Sequence, residues 1–229
     1  MSFTSLVVRA LPTSVENVLR RLLGRPPHFV ELSGEKPAEW YDRAFEEADD
    51  YSAHYTRSPY YISWTVIVDR IRRAKVKSVL EVACGPGQLA CALRDVGLLE
   101  RYCGFDFSEK RVAAARTACP EFAFEVADAF TTPLFNTVPY DAVLATEFLE
   151  HVTDDLQVLK RIRAGTRFIG TVPNYPYVSH VRHFLDEASV RERYAPFFHE
   201  FTVSSIVRDL QGHVLFLIEG VKRESVSSA

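Results

Sequence analysis

Residues 78–96 constrain this chain most. Ser78-Val79-Leu80-Glu81-Val82-Ala83 is a β-branched, apolar run broken by one acid, Gly85 and Gly87 mark a turn, and 88–96 has a helical pattern. A strand that feeds through a glycine turn into a helix crosses back over its own sheet, so the next strand is a parallel neighbour. The alternation then repeats. Strand-like runs fall at 101–106, 122–127, 141–146 and 167–172, with helical segments at 155–162 and from the capping Ser108 to 118. These runs suit a sheet buried on both faces.

The end of the chain departs from this pattern. After a helix over 186–194, strand runs at 200–207 and 213–221 are joined through Gly212. That connection is too short for a right-handed crossover, which takes about a dozen residues, so the two must be antiparallel neighbours. The expected fold is α/β: a doubly wound, mostly parallel seven-stranded sheet with the last strand antiparallel and an N-terminal helical cover. Residues 1–70 read as a helical extension or lid and 71–229 as the domain that carries the site.

Composition narrows the function. A net charge of -3 argues against a chain built mainly to hold nucleic acid. No run approaches the roughly 20 apolar residues of a membrane span, and the N-terminus lacks the pattern of a secretory signal. Cys84, Cys91, Cys103 and Cys119 form no C-x-x-C pair and read as reduced thiols, so the expected compartment is the cytoplasm. Residues 14–24 form an amphipathic pattern, with Val15, Val18, Leu19, Leu22 and Leu23 as its apolar stripe. This helix is expected to pack on the domain or on a partner subunit, which leaves a homodimer open. An acidic stretch follows at 31–56. Then come Tyr51, Tyr55, Tyr60, Tyr61 and Trp64, ordinary cover residues or a wall on the substrate side, leading into a helix over 64–71.

In an open α/β sheet, ligands bind beyond the carboxyl ends of the strands. Four successive ends here are acidic: Glu81, Asp106, Asp128 and Glu147. Gly85-Pro86-Gly87-Gln88-Leu89-Ala90 also fits the G-x-G-x-x-A dinucleotide fingerprint, with Asp106 placed for ribose hydroxyls. The turn alone therefore leaves a dehydrogenase open. Glu81 tilts the balance, since it would repel a pyrophosphate but suits a ligand with an ammonium group. Asp128 offers an acceptor for an adenine amine, and the terminal hairpin is foreign to a dehydrogenase sheet.

With these residues, 78–172, and more loosely 38–222, resemble a class I S-adenosylmethionine-dependent methyltransferase. That family's first motif is an acid followed by G-x-G-x-G; here Glu81 precedes Ala83, Gly85 and Gly87. The resemblance implies S-adenosyl-L-methionine as cofactor. It places Glu81 near the methionyl amino group and the backbone of Ala83, Gly85 and Gly87 along the cofactor. It gives Asp106 the ribose hydroxyls, stacks Phe107 on the adenine, and sets Asp128 and the Ala129 N–H at the adenine edge. Glu147 would border the cofactor where the methyl is transferred.

Thr146-Glu147-Phe148-Leu149-Glu150-His151-Val152 resembles the E-x-x-E-H segment of ubiquinone-pathway O-methyltransferases and of small-RNA 2′-O-methyltransferases. The resemblance implies a divalent metal held by Glu147, Glu150, His151 and a later histidine. His180 and His183 both follow the fifth strand, and His183 is taken as that ligand. In metal-free members the same segment borders the cofactor, and His151 then either packs locally or serves as general base beside Glu147. The implied function is methyl transfer to a small-molecule hydroxyl or amine. One alternative is RNA 2′-O-methylation, which predicts a basic groove from Arg161, Arg163, Arg182 and Arg191. The other is a non-catalytic partner subunit with the same fold.

Overall fold

The computed structural model describes residues 34–47 and 53–224. The amphipathic segment 14–24 and Tyr51 lie outside the described residues. The chain opens with α1 (Ala38–Glu47) and α2 (Tyr61–Arg73), then β1 (Ser78–Val82), α3 (Gln88–Val96), β2 (Arg101–Asp106), α4 (Glu109–Ala118) and β3 (Ala123–Val126). It continues through α5 (Leu134–Thr137), β4 (Ala142–Thr146), α6 (Asp155–Arg161), β5 (Arg167–Pro173), α7 (Glu187–Tyr194), β6 (Phe198–Val207) and β7 (Val214–Lys222).

The strands form one seven-stranded sheet in the order β3-β2-β1-β4-β5-β7-β6. β1 to β5 pair in parallel, and β7 runs antiparallel to both β5 and β6, as the short Gly212 connection requires. The strand order reverses between β1 and β4, which opens a crevice at their carboxyl ends.

Side chains alternate between two apolar layers, as the period of two dictates. Leu80 and Val82 of β1, Val143 and Ala145 of β4, and Phe216 and Ile218 of β7 share one layer with Phe105, Phe168 and Tyr194. Val79, Ala142, Leu144, Ile169 and Leu217 point the other way, against Trp64, Ile67 and Ile71 of α2 and Leu89 and Leu93 of α3. α2 is continuous through residue 70, and Ile67 and Ile71 are both fully buried.

The acidic stretch contains the helix α1, with Trp40, Tyr41, Ala44 and Phe45 as its apolar stripe. α1 buries no residue completely and faces α4, with Asp42 accepting from the Ser108 hydroxyl and Glu46 paired to Lys110. The four cysteines are free thiols, three of them buried. Among the described residues, no helix is long and apolar enough to cross a membrane.

Candidate active site

A cavity of about 520 Å³ lies at the carboxyl ends of β1, β2, β4 and β5, a size usual for small-ligand sites. α1 and the turn before α2 cover it, and the β6–β7 connection closes its far side through Arg208.

The turn after β1 forms one end. Ala83, Gly85 and Gly87 have φ of +54°, +54° and +80°. Gly87 leaves little room for a side chain, because a Cβ there would meet Ala115 Cβ at 3.0 Å and its Cα at 3.1 Å on a backbone already left-handed. Ala83 holds the left-handed conformation without being glycine, at a cost of about 1 kcal/mol. Ala83→Gly is therefore expected to stabilise the protein by up to about 1 kcal/mol in urea unfolding. A loss of stability would contradict the strain.

The first two acids sit as the strand ends dictate. Asp106 is buried; its Oδ2 accepts from Gly85 N at 3.0 Å and its Oδ1 from Ser108 N at 2.9 Å. Burial raises its pKa, against the opposing pull of Arg111 and the two N–H donors. Glu81 is also buried and accepts a hydrogen bond from the Tyr102 hydroxyl on the adjacent strand. Burial pushes the Glu81 carboxyl up to about 8, only partly opposed by Tyr102. Phe107 is partly exposed and lies 5.4 Å from the Tyr41 ring of α1, and Arg111 stacks on that same Tyr41 ring at 4.8 Å. Asp128 is exposed and accepts from Phe130 N at 2.6 Å, next to buried Ala129.

The loop after β4 forms the other end. Glu147 has φ of +50°, a strained conformation of the kind that collects at functional sites. Its backbone N–H donates to Thr171 Oγ1 at 3.1 Å, and its carboxylate accepts from Thr171 Oγ1 at 3.1 Å and Tyr175 OH at 3.3 Å. A 3₁₀ turn, Leu149–His151, then turns Glu150 inward, where it is fully buried. Beyond its own backbone N–H, no donor reaches either Glu150 oxygen among the described residues. Burial and the neighbouring Glu147 hold its pKa well above the carboxylate range.

Two imidazoles face this carboxylate. His151 Nδ1 lies 3.0 Å from the Ser179 carbonyl, and His180 Nδ1 lies 3.2 Å from the Tyr175 carbonyl. A carbonyl only accepts, so each of these contacts needs the hydrogen on Nδ1; the Tyr41 hydroxyl, 3.2 Å from His151 Nδ1, then also accepts, and each Nε2 keeps a lone pair. The rings are 4.8 Å apart, and ligand atoms of Glu150, His151 and His180 all lie within 4.8 Å of one another. Burial pushes His151 down to about 3 and His180 to about 4, so both are neutral at physiological pH.

Residues 80–168 match the methyltransferase domain family. Over that stretch, which runs from β1 into β5, the chain is similar to a methyltransferase domain. The N-methyltransferase NodS from Bradyrhizobium japonicum WM9, solved with S-adenosyl-L-homocysteine, aligns with 80% of this chain and 99% of its own, at TM-score 0.58 and 12% identity. A chain of the Haloferax volcanii complex between the Trm112 methyltransferase activator and a methyltransferase aligns at TM-score 0.58 and 20% identity, covering 82% and 97%. The 4+2 cyclase SpnF aligns at TM-score 0.61 and 12% identity, covering 86% and 99%. Likeness at this level concerns the fold, and a cyclase among these structures shows that the fold alone does not choose the reaction. No curated protein matches the sequence.

Not every residue singled out in the amino-acid sequence enters the site. The group formed with Glu150 and His151 contains His180 and not His183, and Glu147 stands beside it on Thr171 and Tyr175. Tyr60 and Trp64 line the cavity, whereas Tyr55 donates to Asp95 outside it. Tyr41, Tyr175 and Arg208 belong to the cavity without having carried any motif.

The four arginines named for the basic groove of the RNA alternative each have partners within the protein. Arg161 bonds the carbonyls of Phe130 and Thr132, and Arg163 stacks on Tyr140 at 3.8 Å. Arg182 bonds the carbonyls of Val152 and Thr153, and Arg191 bonds that of Phe201. Each of the four thus engages part of its guanidinium within the protein.

Proposed function

We propose that this methyltransferase transfers the methyl group of S-adenosylmethionine to a hydroxyl, or secondarily an amine, of a small molecule, beside a divalent cation held by Glu150, His151 and His180. One observation carries the metal reading. Among the described residues, the Glu150 carboxylate is fully buried without an outside donor, facing two imidazoles whose Nδ1 atoms are anchored on carbonyls. A buried carboxyl without a hydrogen-bond partner is costly whether charged or neutral, and a cation would complete it. Imidazole ligands oriented through Nδ1–H to a carbonyl are the usual outer support of a metal site, and two imidazoles with one carboxylate suit Zn²⁺ or Mn²⁺ better than Mg²⁺.

In this reading the cofactor lies across the first two strand ends. Asp106 takes the ribose hydroxyls, Phe107 packs on the adenine under the α1 cover with Tyr41, and Asp128 and the Ala129 N–H meet the adenine edge. Glu81 holds the methionyl ammonium, and the backbone at Ala83, Gly85 and Gly87 leaves room for the chain between them. The cofactor supplies an electrophilic methyl group, and a divalent cation would supply Lewis acidity that makes the acceptor hydroxyl easier to deprotonate. His151, held down to about 3, takes protons poorly at neutral pH and serves better as a lone-pair donor. Glu147, steadied by Thr171 and Tyr175 and raised by burial, is the group placed to receive the acceptor's proton.

Calorimetric titration with S-adenosylhomocysteine tests the cofactor reading, and absence of heat with the wild type would overturn it. Its pH dependence adds a sharper check. Glu81 must lose its proton to hold an ammonium, so affinity is expected to fall as pH drops below about 8, by up to about tenfold per unit. Glu81→Gln should flatten that limb; an unchanged slope would remove Glu81 from the role. For the cation, Mn²⁺ titration should show binding that Glu150→Gln abolishes, with S-adenosylhomocysteine affinity retained. Equal Mn²⁺ binding by both proteins would dispose of the metal site.

A further inference from the structure

Arg208 is a cation of the cavity wall whose surroundings call for a ligand. It follows β6, and its backbone N–H donates to the His213 carbonyl at 2.8 Å, which fixes it at the base of the β6–β7 connection. Its guanidinium reaches back over the cavity and lies between two rings, 5.0 Å from the centroid of Tyr60 and 5.1 Å from that of Tyr175. Only 20% of its side chain is exposed, and its Nε is buried with no hydrogen-bond partner among the described residues.

Its ion pair with Asp209 is long. Asp209 Oδ2 lies 3.8 Å from Nη1, and the same carboxylate is engaged by the turn, taking His213 Nδ1 at 2.7 Å, Gln211 N at 3.0 Å and His213 N at 3.2 Å. A largely buried guanidinium, flanked by aromatic faces and short of a close acceptor, is an arrangement that recognises a planar oxyanion edge-on.

Its position decides whose anion this is. Tyr175 follows β5 and donates to Glu147, so Arg208 stands on the same wall as the fourth-strand loop, away from Asp106 and Asp128. We propose that Arg208 receives a carboxylate of the methyl acceptor, which makes the acceptor a hydroxy acid or an amino acid derivative. This rests on the methyl-transfer reading above. Charge favours a monoanion over a phosphate, because Glu81, Asp106, Asp128 and Glu147 also line the cavity and would repel a dianion more strongly.

The test uses benzoate, its neutral isostere benzamide, and phenyl phosphate, each titrated calorimetrically into the S-adenosylhomocysteine-loaded protein and into the empty protein. Wild type should bind benzoate at least about tenfold more tightly than benzamide, in line with a hydrogen-bonded charge pair. Arg208→Gln should erase that preference while leaving S-adenosylhomocysteine affinity within about twofold, and Arg208→Lys, which keeps the charge but not the fork, should fall between them. Equal binding of benzoate and benzamide by the wild type, including none of either, overturns the proposal. So does a preference that survives in Arg208→Gln, or tighter binding of phenyl phosphate than of benzoate. Loss of S-adenosylhomocysteine binding in Arg208→Gln would assign the guanidinium to the cofactor's own carboxylate and also overturn it. If the wild type fails to bind S-adenosylhomocysteine, the cofactor reading falls instead, and the titration of the empty protein still decides on Arg208.

Discussion

Replacing Asp155 with alanine is expected to cost about 3–5 kcal/mol of stability and to loosen the Glu150 cluster at the same time. Asp155 begins α6 and is fully buried. Arg193 of α7 grips both its oxygens, at 2.9 and 2.6 Å, and the Tyr194 hydroxyl donates at 2.7 Å. Arg182 adds a contact at 3.3 Å and also bonds the carbonyls of Val152 and Thr153 and that of Leu149, so it clamps the turn that carries Glu150 and His151. Removing the carboxylate would leave the Arg193 guanidinium and the Tyr194 phenol without their acceptor and Arg182 without its counter-charge, which is the expensive way to break a buried pair. The melting temperature should fall by roughly 6–20 °C for a chain of this size. Arg193→Met is expected to cost less, because Arg182 and Tyr194 still serve the carboxylate. A double-mutant cycle between positions 155 and 193 should return a coupling of about 1 kcal/mol or more. Independent effects at the two positions would contradict a shared network.

The gathering of acids at one edge of the sheet was legible in the amino-acid sequence. Strand, glycine turn and helix dictate a parallel sheet, and a parallel sheet dictates that Glu81, Asp106 and Asp128 gather at one edge. The short link through Gly212 likewise dictated an antiparallel hairpin. The features that were not legible depend on register and on irregular backbone. Tyr102 reads as a core strand residue, and it reaches Glu81 because Val79 pairs with Tyr102 and Glu81 lies two positions further along the same face. α1 does carry an apolar stripe at helical spacing, Trp40, Tyr41, Ala44 and Phe45, but none of it is fully buried, and nothing local to it places Tyr41 at the cavity.

The choice between His180 and His183 was undecidable by spacing. The segment after β5 has no regular period, and His180 turns inward because Ser179 and Val181 are both tied to the 3₁₀ turn: the Ser179 carbonyl meets His151, and Val181 N donates to the Glu150 carbonyl at 2.8 Å. Arg208 looks like an ordinary hairpin arginine until pairing of β7 beside β5 brings it onto Tyr175, and the fold of the N-terminal cover brings Tyr60 to its other side. Long-range contacts of this kind leave no local signature. The strained residues are a partial exception: at Ala83 the left-handed backbone explains why the family motif has glycine where this chain does not.

Asp106→Ala is expected to lower S-adenosylhomocysteine affinity by more than about a hundredfold, and Asp106→Asn nearly as much. A carboxylate offers about four acceptor sites on two oxygens. Gly85 N takes one on Oδ2 and Ser108 N takes one on Oδ1, which leaves one on each oxygen facing the cavity. Two free sites on adjacent oxygens match the two vicinal hydroxyls of a ribose. Each hydrogen bond to a charged group contributes about 1.5–3 kcal/mol, so losing both should cost about 3 kcal/mol or more. Asparagine cannot rescue the arrangement, because its NH₂ would confront one of the two backbone N–H donors and present a donor where an acceptor is needed. The same two N–H groups tie the first turn to the second strand end, so both variants should also lose about 1–3 kcal/mol of stability. Calorimetric affinity and the melting temperature of the empty protein separate the two effects. Near-normal affinity in Asp106→Asn would show that the carboxylate serves only to brace the glycine turn, and the ribose would have to be held elsewhere.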